Sequence, residues 1–171
     1  MSIAKFNKWQ SVDGVTRNAV LQVVSKNVTT EVSITSTSFV DATDMFLAIT
    51  PTSATSKILV TFVPHYQISR LTTNALGAFQ ILRDTTAVFT PFTTGASGTY
   101  SVGTSMGNTT SNNVRSFASL QFLDSPATTN EITYKLQASA FSSLNTGYIL
   151  LNEQETTGSC ISTITLMEIA Q

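Results

Sequence analysis

The side chains that most often carry chemistry are scarce in this chain: of 171 residues, one is His, one is Cys and ten are Asp or Glu. Acid–base and nucleophilic catalysis set a titratable group against a partner within hydrogen-bond reach, so each of these residues has to be weighed for a partner. His65 stands alone between Pro64 and Tyr66. A single His excludes the several-His metal cage of a cupin and other imidazole-based sites, and its expected role is structural or at the surface. Cys160 can form no disulfide within the chain and is expected to be a small buried apolar residue rather than a nucleophile. Asp41 and Asp44 form a close acidic pair without the alternating carboxylates and distant Glu of a calcium loop, so turn capping is their expected work. Glu153 and Glu155 flank Gln154 in an expected hairpin loop, as solvated charge. The sequence contains no G-x-S-x-G, no P-loop and no G-x-G-x-x-G. Two N-x-T tripeptides, at Asn27 and Asn108, are frequent by chance in a Thr-rich chain. The expectation is a non-enzymatic protein with no catalytic residues, no metal and no cofactor.

The work then falls to surfaces, and the elements that present them are strands. Period-2 alternation recurs along the chain, and no window shows the i, i+3, i+4, i+7 spacing of an amphipathic helix. Ile132, Tyr134, Leu136 and Ala138 alternate with Thr133, Lys135, Gln137 and Ser139, which predicts one core face and one wet face. Phe117 to Leu123 alternates in the same way, and the turn residues from Asp124 to Asn130 between the two segments predict an antiparallel pair. Further strands are expected over residues 20–24, 31–35, 45–50, 57–63, 77–83, 87–92, 148–152 and 160–169, about ten in all. Short strands separated by Gly, Pro, Asn, Ser and Thr predict an all-β, antiparallel sandwich of jelly-roll type. Residues 20–171 are expected to form this one domain.

Two segments do not fit the strand pattern. Thr93 to Asn113, with four Gly and many hydroxyl and amide side chains, is expected to be one long surface loop. Residues 1–19 carry Ile3, Phe6, Trp9 and Val12 at three-residue intervals with Lys5 and Lys8 between, the pattern of an arm laying apolar anchors on a partner or of one amphipathic turn.

Composition narrows the partners. Charged residues are 11%, whereas about fifty residues are Ser or Thr, so the surface is hydroxylated rather than ionic. With net charge -1 and no run of Lys or Arg, there is no footprint for a phosphate backbone and nucleic acid is not expected. Apolar runs fall far short of the roughly 18 residues of a membrane span, and the N-terminal ten residues lack the apolar stretch of a signal peptide, so no membrane insertion or Sec export is expected.

Three segments resemble the sandwich domain found at the C-terminus of tail-fibre and other structural proteins in phages of cyanobacteria and marine bacteria. They are Ile49 to Val60 (ITPTSATSKILV), Phe122 to Gln137 (FLDSPATTNEITYKLQ) and Ile161 to Ile169 (ISTITLMEI). Val20 to Val24 and Ser36 to Asp41 also resemble that domain's opening, so the likeness spans roughly residues 20 to 171. Its motifs are strand and turn pieces. The resemblance implies a jelly-roll-like sandwich, homotrimeric, on the outer surface of a tailed phage particle, with capsid or tail proteins as partners. Two tasks follow: a capsid decoration or cement subunit docking through Ile3, Phe6, Trp9 and Val12, or a fibre component touching host surface glycan. In the second, the contact loop carries Tyr100, Asn108, Asn112 and Asn113. Fibres of that kind carry a long shaft ahead of the domain, where this sequence has about 19 residues.

Overall fold

The computed structural model describes residues 8–10, 16–70, 75–90, 102–104, 112–141, 148–155 and 158–171, and every regular element among them is a strand. The first layer of the sandwich is made from strands that run on into one another. β6 (Lys57–Val63) passes through Pro64 into β7 (His65–Arg70), and β11 (Asn112–Phe117) passes through Ala118 and Ser119 into β12 (Leu120–Asp124). β3 (Val20–Val28) precedes β4 (Val32–Ile34), while β14 (Tyr148–Leu151) and β17 (Ser162–Ile169) flank a small hairpin of β15 (Gln154–Glu155) and β16 (Gly158–Ser159). These strands pair in the orders β12-β6-β17-β3 and β11-β7-β14-β4. Hydrogen bonds from Ala118 N to Pro64 O (3.1 Å) and from Asn152 N to His65 O (3.3 Å) carry the pairing across the junction. Proline has no N–H to give the ladder, so a break in pairing at Pro64 costs no donor.

The second layer has the order β10-β8-β13-β5, from β10 (Val102–Thr104), β8 (Ala75–Arg83), β13 (Ile132–Phe141) and β5 (Val40–Ile49), with β9 (Thr86–Phe89) also on β8. With continuous strands merged in chain order, positions one, eight, three and six lie side by side in the first layer, and two, seven, four and five in the second. This interleaving, antiparallel throughout, is the jelly-roll path of two Greek keys.

Alternation positions the core. Ile58, Val60 and Phe62 of β6, Ile164 and Leu166 of β17, and Phe79 and Ile81 of β8 are buried between the layers. Ile132, Tyr134, Leu136 and Ala138 all face this interior, as their spacing predicts. A slip of one residue in β13 would expose all four at once, which pins its register.

Three expectations are corrected. Phe117–Leu123 and the strand after it do not pair: β12 lies on β6, whereas β13 lies between β5 and β8 in the other layer. The Asp124 to Asn130 connection therefore crosses between layers, and turn chemistry marks a change of direction without saying whether the partner is in the same sheet. The stretch from Thr93 to Asn113 is not one loop, because Val102–Thr104 pairs with Gly77, Leu76 and Ala75 and β11 begins at Asn112. The N-terminal segment is neither irregular nor helical where it is described: β1 (Lys8–Gln10) pairs with β2 (Thr16–Asn18), with Trp9 opposite Arg17. In both places short strands take backbone partners that side-chain periodicity does not reveal.

Candidate functional site

The acidic residues are tied into the architecture. Glu168 is fully buried in β17, and its Oε1 accepts from Thr52 N and Thr52 Oγ1, both at 2.8 Å, while Oε2 accepts from Gln22 Nε2 at 2.7 Å. Gln22 Nε2 also donates to Thr50 O at 2.7 Å. Burial alone would raise the Glu168 carboxyl, but the Ser56 hydroxyl nearby and the hydrogen bonds from Gln22 and Thr52 outweigh it and hold the group below its ordinary range. The carboxylate thereby fastens the β5–β6 connection to the last strand. Beside it, Leu21, Thr52, Ser53, Thr55, Ser56, Ala170 and Gln171 line a shallow hydroxyl-bearing cleft of about 240 Å³.

Asp124 does the same at the crossing between layers. Its Oδ2 accepts from Arg83 Nη1 at 2.6 Å and from the Tyr134 hydroxyl at 2.7 Å. Burial and the hydrogen bond to Asp124 push the Tyr134 phenol well above its ordinary range. Asp41 and Asp44 do not converge on one point. Asp41 binds Lys135 (2.7 Å) and Gln137 (2.6 Å), and Asp44, at φ 67°, binds Lys26 (2.6 Å) and Thr30 (2.8 Å). Hydrogen bonds from the lysines, chiefly, lower both carboxyls. Among the described residues no group of three or more His, Cys, Asp and Glu side chains is placed to hold a metal ion.

The junction of β6 and β7 gathers buried polar groups. His65 N donates to Ser162 Oγ at 2.9 Å, the Ser162 hydroxyl donates to Asn152 Oδ1, and Asn152 Nδ2 reaches Thr30 O at 3.0 Å. Asn152 is fully buried at φ 52°, in the left-handed region that Asn tolerates better than most residues. The Ser162 hydroxyl thus meets the His65 backbone and not its ring, which is no nucleophile–base pair. The ring lies edge-on to Phe117, centroids 5.0 Å apart, with Nδ1 buried and without a hydrogen-bond partner among the described residues. Burial, chiefly, lowers the His65 pKa, with Arg115 adding to the shift and Glu153 opposing it. Glu153 is not simply solvated charge: it is ion-paired to Arg115, whose hydrogen bonds lower its carboxyl. Cys160 is half-buried rather than buried.

Of the docking residues expected in the arm, Trp9 lies on β1, and Ile3, Phe6 and Val12 fall outside the described residues. Of the expected contact loop, Tyr100 and Asn108 fall outside them, while Asn112 and Asn113 are strand residues paired with Arg70 and Ser69. What the sequence reading missed is β7 with its polar junction. The available signal was the alternation of Tyr66 and Ile68 after Pro64, masked by a buried His and Gln on the opposite side of the same strand.

No protein-family model matches the chain, and no curated protein matches it. Among solved structures the chain is similar to a mutant VP2 protein of infectious bursal disease virus in derived T=1 particles, at 11% identity over 91% of this chain and 41% of that one, TM-score 0.38. It is also similar to the structure of that virus's Gx strain, at 14% identity over 99% and 46%, TM-score 0.36. A third likeness is to the T13 particle of the same virus, at 11% identity over 90% and 40%, TM-score 0.38. The chain spans less than half the length of these proteins, and superposition at this level bears on neither function nor assembly.

Proposed function

We propose that this chain is a non-enzymatic structural subunit on the outer surface of a tailed phage particle, a capsid decoration or cement protein that self-associates as a homotrimer and docks through residues 1–19. The observation that carries the reading is where the three resembling segments fall. Thr52 in the first and Glu168 in the third bind each other, and Asp124 and Tyr134 in the second bind each other across the layers. That the segments carrying the likeness meet in the contacts that make this sandwich supports the reading. Docking through the arm rests on its composition, since Ile3, Phe6, Trp9 and Val12 precede the first sandwich strand at Val20. A fibre component that contacts host glycan through the region of Tyr100 and Asn108 is the second reading.

The test is deletion of residues 1–18. The sandwich is expected to unfold cooperatively as before, because its strands begin at Val20, while retention on particles stripped of the native subunit is lost. Trp9→Ala alone should weaken retention at least tenfold, as truncated interface anchors commonly cost about 2 kcal/mol or more. A truncated chain that binds particles as tightly as the whole one refutes docking by the arm. Copy number decides between the two readings: hundreds per particle mean decoration and a handful per tail mean a fibre.

A further inference from the structure

The two outer faces of the sandwich are unlike. On the second layer the outward side chains are mixed: Asp41 binds Lys135 and Gln137, Gln80 Nε2 donates to Gln137 Oε1 at 2.6 Å, and Phe46, opposite Lys135, is half exposed with the Lys26 ammonium over its ring. On the first layer the register sets Gln121, Thr61, Thr165 and Ser25 in one outward row across four strands, the neutral hydroxylated surface the composition predicts. The next row breaks that rule. Leu123, Leu59, Met167 and Val23 stand side by side in register, one from each of β12, β6, β17 and β3, with Leu123 49% and Val23 54% exposed. Beyond them Ile169 and Val20 continue the apolar surface, and Lys57, at the corner, is the one formal charge in these rows.

An antiparallel sheet with one wet face alternates apolar-in with polar-out. A full outward row of apolar side chains on four neighbouring strands is the pattern of a face that is covered. From these positions we infer that the face is where copies of this chain meet, its apolar rows turned in toward the axis the copies share. Two features specify a second copy. The covering surface must be flat, neutral and apolar along one line; another copy offers that in its own first layer, whereas its second layer offers charge. The size also fits. Four strands about 4.8 Å apart and these three outward rows about 6.8 Å apart make a face of about 400 Å² in projection, more as accessible surface. That approaches the roughly 600–1,000 Å² per partner of a specific interface, with the apolar rows as its core and the hydroxylated row as its rim. The inference rests on the self-association included in the proposed function and is independent of where on the particle the protein sits.

The experiment is light scattering of the full chain across a concentration series, with three variants. Wild type is expected at a multiple of 18.4 kDa. Leu59→Lys with Met167→Lys puts two like charges at the centre of the face and should give a monomer with unchanged β-sheet circular dichroism. Leu59→Thr with Met167→Thr imitates the neighbouring hydroxylated row and should raise the dissociation constant at least tenfold; it decides the matter if the lysine pair does not fold. Thr133→Lys, on the opposite face, should associate like wild type. A wild type that is monomeric throughout overturns the inference, as does undiminished association of the folded variants. Particle retention separates this from the virion role proposed above: a wild type that is monomeric but retained refutes the interface and the self-association and leaves the virion role standing, and one that associates normally but is never retained refutes the virion role alone.

Discussion

Replacing Glu168 by Gln keeps the shape of the side chain and removes its charge, so it isolates what the buried carboxylate contributes. Hydrogen bonds to a charged group are worth about 1.5–3 kcal/mol each and neutral ones about 0.5–1.5. The two bonds from Thr52 to one oxygen survive on an amide oxygen but weaken by about 1 kcal/mol each. The other position becomes an NH2 facing the Nε2 of Gln22, donor against donor. Gln22 can relieve this only by turning its amide, which gives up its bond to Thr50 O. Against these losses stands the lower cost of burying a neutral amide than a carboxylate. The net expectation is a destabilisation of about 2–3 kcal/mol, measured by urea unfolding at pH 7 and one fixed protein concentration. A difference under about 0.5 kcal/mol, smaller than a single neutral hydrogen bond, would show that the β5–β6 connection is held by something else. The pH dependence gives an independent reading. The folded carboxyl titrates below the ordinary value of 4.5, so on acidification the unfolded chain takes up its proton first. The contribution of Glu168 is therefore complete above pH 4.5 and declines as pH falls through the folded value, and the Gln variant should lose that part of the slope.

Two more outcomes follow from the buried polar groups. The His65 pKa is lowered from 6.5 by burial, so the neutral ring stabilises the fold fully above pH 6.5 and progressively less as pH falls toward the folded value; His65→Phe should flatten urea-unfolding stability between pH 7.5 and 5. Tyr134→Phe deletes the hydroxyl that donates to Asp124 and should cost about 1–2 kcal/mol, and in wild type an ultraviolet titration should find this phenol silent until the protein unfolds.

The sandwich was legible in the sequence wherever one face of a strand is core and the other is water. β13 shows it: Ile132 to Ala138 alternates without interruption, and its buried residues are those the period selects. β7 was not legible because it has no wet face over its first four residues. His65, Tyr66, Gln67 and Ile68 are all buried, so polarity ceases to report which way each side chain points. Pairing was not legible: the one pair expected, Phe117–Leu123 with the strand after it, is not made. A jelly roll places most chain neighbours in opposite layers, which is why Asp124 to Asn130 looks like a hairpin and is a crossing.

The same distinction governs what the resemblance carries. Glu168 and Asp124 break the alternation of their strands: each falls on the core side, with Leu166 and with Phe122, where the period calls for an apolar residue, yet Glu168 is fully buried among donors and Asp124 gathers an Arg and a Tyr. A buried carboxylate keeps its charge only if donors surround it, so replacing either acid disturbs several elements together, whereas an outward Thr or Ser can change with little effect on the fold. A resemblance carried by such segments bears on the architecture rather than on the partner. The task has to be read from positions the fold leaves unconstrained. In the first layer those are the outward rows, where Thr61 and Thr165 satisfy the solvent and Leu59 and Met167, one row away on the same two strands, do not. Folding has no use for apolar residues at the second pair of positions, and association does.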